Sequence, residues 1–164
     1  MNKIKSIVVE GADNTGKTTL ARYLSSYFGL PYIAAGPPPR RLDLIKSCCD
    51  YQWQWMLERP CVFDRITPIS HQIYHNFISS QVKDMLDGYM IKMRKKCIII
   101  YCTKVLGESY EDYESEEDKH LVLTQQEKIM SKYEDFMVGQ ADIVFDGQDY
   151  HEIATQIRYW RQAS

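Results

Sequence analysis

With 164 residues, 45% of them hydrophobic and 26% charged, the chain has the make-up of an ordinary globular protein, long enough for one well-filled core. Residues 1–164 are therefore read as a single domain, and a net charge of -2 gives no pull toward nucleic acid or an anionic membrane surface. No apolar run approaches the ~20 residues of a membrane span and the first residues lack a signal-peptide core, so a cytoplasmic protein is expected.

The first element is a β-branched run, Ile4 to Val9, closed by Glu10. Directly after it, Gly11-Ala12-Asp13-Asn14-Thr15-Gly16-Lys17-Thr18-Thr19 fits the phosphate-binding pattern of a glycine, four residues, then Gly-Lys-Thr. Leu20 to Phe28 follows with apolar residues at helical spacing, and Gly29 stops it. Strand, glycine loop and helix in this order bring backbone N–H groups and a helix N-terminus onto phosphate oxygens. An ATP-binding loop of Asn14, Thr15, Gly16, Lys17, Thr18 and Thr19 is expected. Lys17 would reach the β- and γ-phosphates, and the Thr18 hydroxyl would ligate Mg²⁺.

A short strand is predicted over Leu30–Ala35, and Gly36-Pro37-Pro38-Pro39-Arg40-Arg41 after it is a stiff extended loop. Arg40 and Arg41 on this loop either contact a phosphate or substrate, or are solvated residues opening the next helix. That helix is predicted over Leu42–Leu57, with Leu42, Ile45, Cys49, Trp53 and Met56 on one stripe. Tyr51, Trp53 and Trp55 either fill the core or supply one ring to stack on a substrate base.

Pro60–Phe63 is a third strand that runs into Asp64-Arg65. An acid there would manage magnesium or an attacking hydroxyl, and the arginine offers a planar fork for a phosphate; a plain surface ion pair is the alternative. A helix over Pro68–Ile78, capped near Thr67, would turn Ile69, Ile73, Phe77 and Ile78 to the core and set Ser70 and Tyr74 together on another face. His71 and His75 share the same spacing, but without a third ligand they read as solvated or satisfied histidines rather than a metal site. Lys83–Met93 is a helix with Met85, Leu86, Tyr89, Met90 and Met93 in the core.

Cys97–Cys102 is the strongest strand pattern and is predicted to be central. Cys61, Cys97 and Cys102 read as buried small hydrophobes, and the five cysteines have no metal spacing. The segment about 104–120 is acidic and without apolar periodicity, which predicts a mobile lid. A helix over Leu121–Met137, a short strand over Asp142–Asp146 and an amphipathic helix through Ile153, Ile157 and Trp160 complete the chain. Strands alternating with helices from a phosphate loop predict a three-layer α/β P-loop NTPase fold, a five-stranded parallel sheet flanked by helices.

On three stretches the chain resembles the nucleoside monophosphate kinases, and within them the thymidylate kinase branch and its small phage-encoded relatives. These are Val9 to Thr19 with Glu10 before the first glycine, Gly36-Pro37-Pro38, and Phe63-Asp64-Arg65 followed by Ser70 and Tyr74. The resemblance implies ATP- and Mg²⁺-dependent transfer to a thymidylate-like deoxynucleoside monophosphate. It further implies that Lys17, Asp64 and Arg65 are catalytic and that Thr18 and Asp64 hold the metal. Asp13, Arg40, Arg65, Ser70 and Tyr74 would bind the acceptor, small-molecule nucleotides would be the partners, and a homodimer is the usual assembly. The chain departs from that family at Asn14, where a loop arginine stands in some members, and over residues 105–118, which carry no Arg or Lys. Lys104, Lys119, Arg94, Arg40 and Arg41 are the candidates for the absent cation; otherwise turnover is slow or the acceptor differs. Two alternatives keep the loop: a kinase for a nucleoside, a modified nucleotide or a nucleic-acid base, and a non-catalytic nucleotide-binding regulator.

Overall fold

A computed structural model describes residues 5–103 and 115–163. Its elements are β1 (Ser6–Gly11), α1 (Lys17–Phe28), β2 (Tyr32–Ala34), α2 (Leu42–Glu58), β3 (Val62–Asp64), α3 (Thr67–Tyr74), α4 (Ser80–Arg94), β4 (Cys97–Cys102), α5 (Glu116–Met137), β5 (Ile143–Phe145) and α6 (Tyr150–Ala163). The five strands form one sheet in the order β2-β3-β1-β4-β5, and every pairing is parallel. The α/β architecture expected from the alternating pattern is the one observed.

Parallel strands in the middle of a sheet are covered on both faces, so β4 is apolar along its whole length, β1 is apolar but for Ser6 and Glu10, and both are buried at every position. Alternate side chains feed two cores. Val8, Phe63, Ile99 and Tyr101 pack with Met56, Ile69, Ile73, Met93 and Tyr133 from α2, α3, α4 and α5. Ile7, Val9, Ile98, Ile100 and Phe145 pack with Leu20, Leu24, Ile153 and Ile157 from α1 and α6. Cys61, Cys97 and Cys102 are buried in these layers as free thiols.

Registry decides where the chemistry sits. Val9 lies opposite Asp64 and Gly11 opposite Cys102, so the C-terminal ends of β1, β3 and β4 open side by side at one edge. Gly11 is required there by space: a Cβ on it would stand 2.7 Å from the Cys102 carbonyl oxygen and 2.8 Å from Thr15 Oγ1.

Several element limits differ from the sequence expectation. The helix expected over 68–78 ends at Tyr74, because His75 turns extended, and Phe77 is 96% exposed rather than in the core. Its N-cap is Ile66, not Thr67, and no side chain caps it. Tertiary partners take the orphan amides instead: Ile66 N–H donates to Glu10 and Thr67 N–H to Gln52. His71 is buried and His75 half-buried; their rings lie 4.1 Å apart, and His71 Nδ1 and His75 Nε2 are buried without a hydrogen-bond partner among the described residues. Burial, then the neighbouring His75, lowers the His71 pKa. Leu42 and Trp160, both placed on core stripes, are 42% and 43% exposed.

The acidic stretch also needs correction. Glu116 and Glu117 open α5 rather than belonging to a structureless segment, and acids suit a helix N-terminus with its positive dipole end. The remainder of the expected lid, 104–114, lies outside the described residues. No helix among those described is long and apolar enough to cross a membrane.

Gly11→Ala is expected to lower stability by about 1–3 kcal/mol through overpacking against the β4 backbone. Urea unfolding followed by circular dichroism checks this, as a reduced midpoint at unchanged slope.

Candidate functional site

The loop after β1 is shaped by short residues. Thr15 Oγ1 donates to the Ala12 carbonyl at 2.7 Å and is buried, which braces the turn from inside. Asn14 (φ 60) and Gly16 (φ 76) take left-handed conformations, and Gly16 is the N-cap of α1. No side chain caps α1 and no acid stands in its first turn, so its leading amides are open to an anion. Asn14 and Thr19 are exposed on this loop and first turn.

Lys17 folds back over the loop, with Nζ 3.3 Å from the Ala12 carbonyl oxygen and 3.5 Å from Asp13 Oδ1. Burial, then the nearby Arg65 guanidinium, lowers its pKa, partly offset by Asp13 and Asp64. Asp13 also accepts from Arg65 Nη2 at 2.6 Å, so one carboxylate oxygen lies against both cations. Burial raises the Asp13 pKa, but Arg65 and Lys17 outweigh it and the net shift is downward.

At the end of β3, Asp64 Oδ2 accepts from Thr18 Oγ1 at 2.6 Å and from the Tyr32 hydroxyl at 2.8 Å. A hydroxyl that donates its proton to Asp64 leaves its lone pairs free for a cation. Two hard oxygen donors side by side suit Mg²⁺, which takes one or two protein ligands and shares the rest of its shell with phosphate and water. Among the described residues no three His, Cys, Asp or Glu gather into a metal cluster. Thr18 and Asp64 therefore fit the cation that the sequence reading assigned to them.

Arg65 follows with φ 69, an unusual backbone for a residue with a long side chain. Its Nη2 donates to Asp13, to the Tyr74 hydroxyl at 2.7 Å and, at 3.4 Å, to the Gly11 carbonyl. The guanidinium carbon lies 5.0 Å from the Tyr74 ring centroid, and Nε is buried without a partner among the described residues. A fork with a free N–H, beside the lysine of a phosphate loop, is chemically disposed to hold an oxyanion.

The other residues named from the sequence are scattered. Ser70 is buried, its hydroxyl without a partner among the described residues. Arg40 is exposed, and Arg41 pairs with Asp43 at 2.9 Å in solvent. Arg94 is held by Asp142 at 2.8 Å. Trp53 and Trp55 pack against the larger core while Tyr51 is exposed. Lys104 lies outside the described residues, as does the side chain of Lys119.

Three residues without an assigned role belong to this site. Tyr32 holds Asp64. Glu10, wholly buried, accepts from Ile66 N–H at 2.7 Å and from the Tyr133 hydroxyl at 3.0 Å. Gln52, 3% exposed, accepts from Thr67 N–H at 2.8 Å. A carboxylate at the end of an apolar strand and an amide inside an aromatic helix were the available signals, since either is costly to bury without a partner.

No family model matches the chain, and no curated protein matches it in sequence. Among solved structures it is similar to the YorR protein of Bacillus subtilis in complex with phosphorylated GDP, at TM-score 0.57 and 19% identity over 95% of each chain. It is also similar to shikimate kinase from Acinetobacter baumannii in complex with shikimate, at TM-score 0.60 and 10% identity over 99% of this chain and 95% of that one. A shikimate kinase from Bacteroides thetaiotaomicron matches at 0.51 and 13% over 97% of both. At these identities the likeness shows a shared α/β fold alone; the thymidylate branch does not follow from it.

Glu10 gives a pH signature. Burial pushes its pKa up from 4.5 to about 7 against the pull of Ile66, Arg65, Tyr133 and Lys17. A carboxyl group with a raised native pKa binds more protons folded than unfolded. Its contribution is thus complete below pH 4.5 and disappears as pH rises through about 7. The difference is roughly 3 kcal/mol. Urea midpoints measured from pH 4.5 to 8 should fall less steeply in Glu10→Gln than in the parent, and parallel curves would remove the assignment.

Proposed function

We propose that the protein transfers the γ-phosphoryl group of ATP to a small phosphorylated acceptor, a thymidylate-like deoxynucleoside monophosphate, giving the diphosphate. The observation that carries this is the shared grip of Lys17 and Arg65 on one carboxylate oxygen of Asp13. One cation belongs to the phosphate loop and the other to the end of β3, so an anion between them would touch a donor site and an acceptor site together.

The loop amides and the α1 N-terminus bind the donor's phosphates, and Lys17 neutralises charge on the β- and γ-oxygens. Arg65 grips the acceptor's phosphate with its guanidinium, backed by the Tyr74 ring and hydroxyl. Asp13 must give up both ion pairs as the phosphates arrive; it is exposed and free to swing toward the acceptor's sugar. Bound at Thr18 and Asp64, Mg²⁺ would supply charge neutralisation on the β- and γ-phosphate oxygens. Arg65 and Lys17 then fix the two oxyanions close and in line, which is most of what phosphoryl transfer asks of a protein.

A second reading, transfer to a small non-nucleotide acceptor, draws on the shikimate kinase fold likeness. An acceptor carboxylate would satisfy the Arg65 fork as well as a phosphate does. One assay separates the two: ATP and Mg²⁺ with a panel of nucleoside monophosphates, nucleosides and hydroxy acids, read as acceptor-dependent ADP. A nucleoside monophosphate, dTMP foremost, is expected to turn over.

Arg65→Ala is expected to lower kcat/KM for the acceptor about 10- to 100-fold, with ATP affinity nearly intact. Lys17→Ala should reduce turnover by on the order of 10³. Isothermal titration with ATP alongside steady-state kinetics checks both, and an Arg65→Ala defect confined to ATP binding would displace the acceptor site.

A further inference from the structure

Arg65 sits in a left-handed conformation that an arginine does not adopt unaided, so something in the fold must hold it there. Three successive amides identify what does. Arg65 N–H donates to the Val9 carbonyl at 2.9 Å, Ile66 N–H to Glu10 Oε1 at 2.7 Å and Thr67 N–H to Gln52 Oε1 at 2.8 Å. The first partner is β1 backbone, the second a β1 side chain and the third a side chain of α2.

We infer that Gln52 and Glu10 are positioning residues that hold the backbone of Arg65 in its left-handed turn and so aim its guanidinium into the phosphate loop. Gln52 occupies a core position of α2 between Cys49 and Met56, where an apolar residue would pack as well. Its amide is the feature that core packing does not require, and that amide meets the third N–H of the turn. Glu10 acts at two points. Oε1 holds the turn through Ile66, and Oε2 holds the Tyr133 hydroxyl, whose ring stands edge-on to Tyr74 with centroids 6.2 Å apart. Tyr74 in turn accepts from the Arg65 head group. Backbone and guanidinium are thereby anchored from one buried carboxyl group. The effect on catalysis rests on the reading of Arg65 as the acceptor clamp; the effect on geometry does not.

Gln52→Leu removes the acceptor while keeping the volume near that of the glutamine, and Gln52→Glu restores an oxygen. Thr67→Pro deletes the donor instead, at the first position of α3, where proline is well tolerated, and spares the α2 core should Gln52→Leu not fold. In crystal structures of Gln52→Leu and Thr67→Pro, Arg65 should leave the left-handed region and Nη2 should lose Asp13; Gln52→Glu should keep both. Kinetically, Gln52→Leu should raise acceptor KM about tenfold with ATP affinity within twofold, and should add nothing in an Arg65→Ala background. An unchanged Arg65 conformation in both variants overturns the inference, as does a Gln52→Leu effect that persists in full without the guanidinium. If Arg65→Ala itself leaves acceptor KM unchanged, the clamp reading fails while the crystallographic result still judges the positioning role.

Discussion

Two positive charges facing each other across one carboxylate oxygen are the constraint from which the rest of the site follows. Lys17 and Arg65 come from segments nearly fifty residues apart and would repel; burial chiefly lowers the Lys17 pKa, and the Arg65 guanidinium lowers it further. They are brought together because β1 and β3 are adjacent parallel strands whose C-terminal ends coincide, Val9 opposite Asp64. Asp13 offsets the repulsion in this state by accepting from both. An anion that displaces Asp13 inherits the same attraction, and a phosphoryl group in transit is such an anion.

Among the described residues, several cations named from the sequence are engaged elsewhere. Asn14 leaves the loop without an arginine, Arg94 is committed to Asp142, and Arg41 pairs with Asp43 away from the loop. Within the described residues, Lys17 and Arg65 are the cations held against Asp13. The Arg65 guanidinium donates to Tyr74, whose ring packs edge-on to Tyr133, while Glu10 and Gln52 accept from the backbone amides that follow Arg65 and Glu10 also holds the Tyr133 hydroxyl.

Much of this was legible in the chain. The glycine loop, the apolar strand before it and the amphipathic helix after it were each placed correctly as elements, because each is a local pattern. Asp64 and Arg65 announced themselves as charges at the end of an apolar strand. What stayed hidden is long-range. The Ile66–Glu10 bond spans 56 residues and the Tyr32–Asp64 bond 32, and a single sequence has no periodicity that records either. The start of α3 was legible near Thr67, but not that Glu10 and Gln52, rather than a capping side chain, meet the amides there, nor that the helix ends at Tyr74. Glu116 and Glu117 misled because an acidic run reads as solvated coil, whereas at a helix N-terminus the same charges are stabilising.

The most direct test of two cations sharing one anion is a crystal structure with adenosine and thymidine joined through five phosphates, a mimic of donor and acceptor together. The account predicts the Asp13 carboxylate turned away from both cations, with phosphate oxygens within hydrogen-bonding distance of Lys17 Nζ and of the Arg65 guanidinium. Asp13 still bridging Lys17 and Arg65, with the phosphate chain bound elsewhere on the sheet edge, would contradict it.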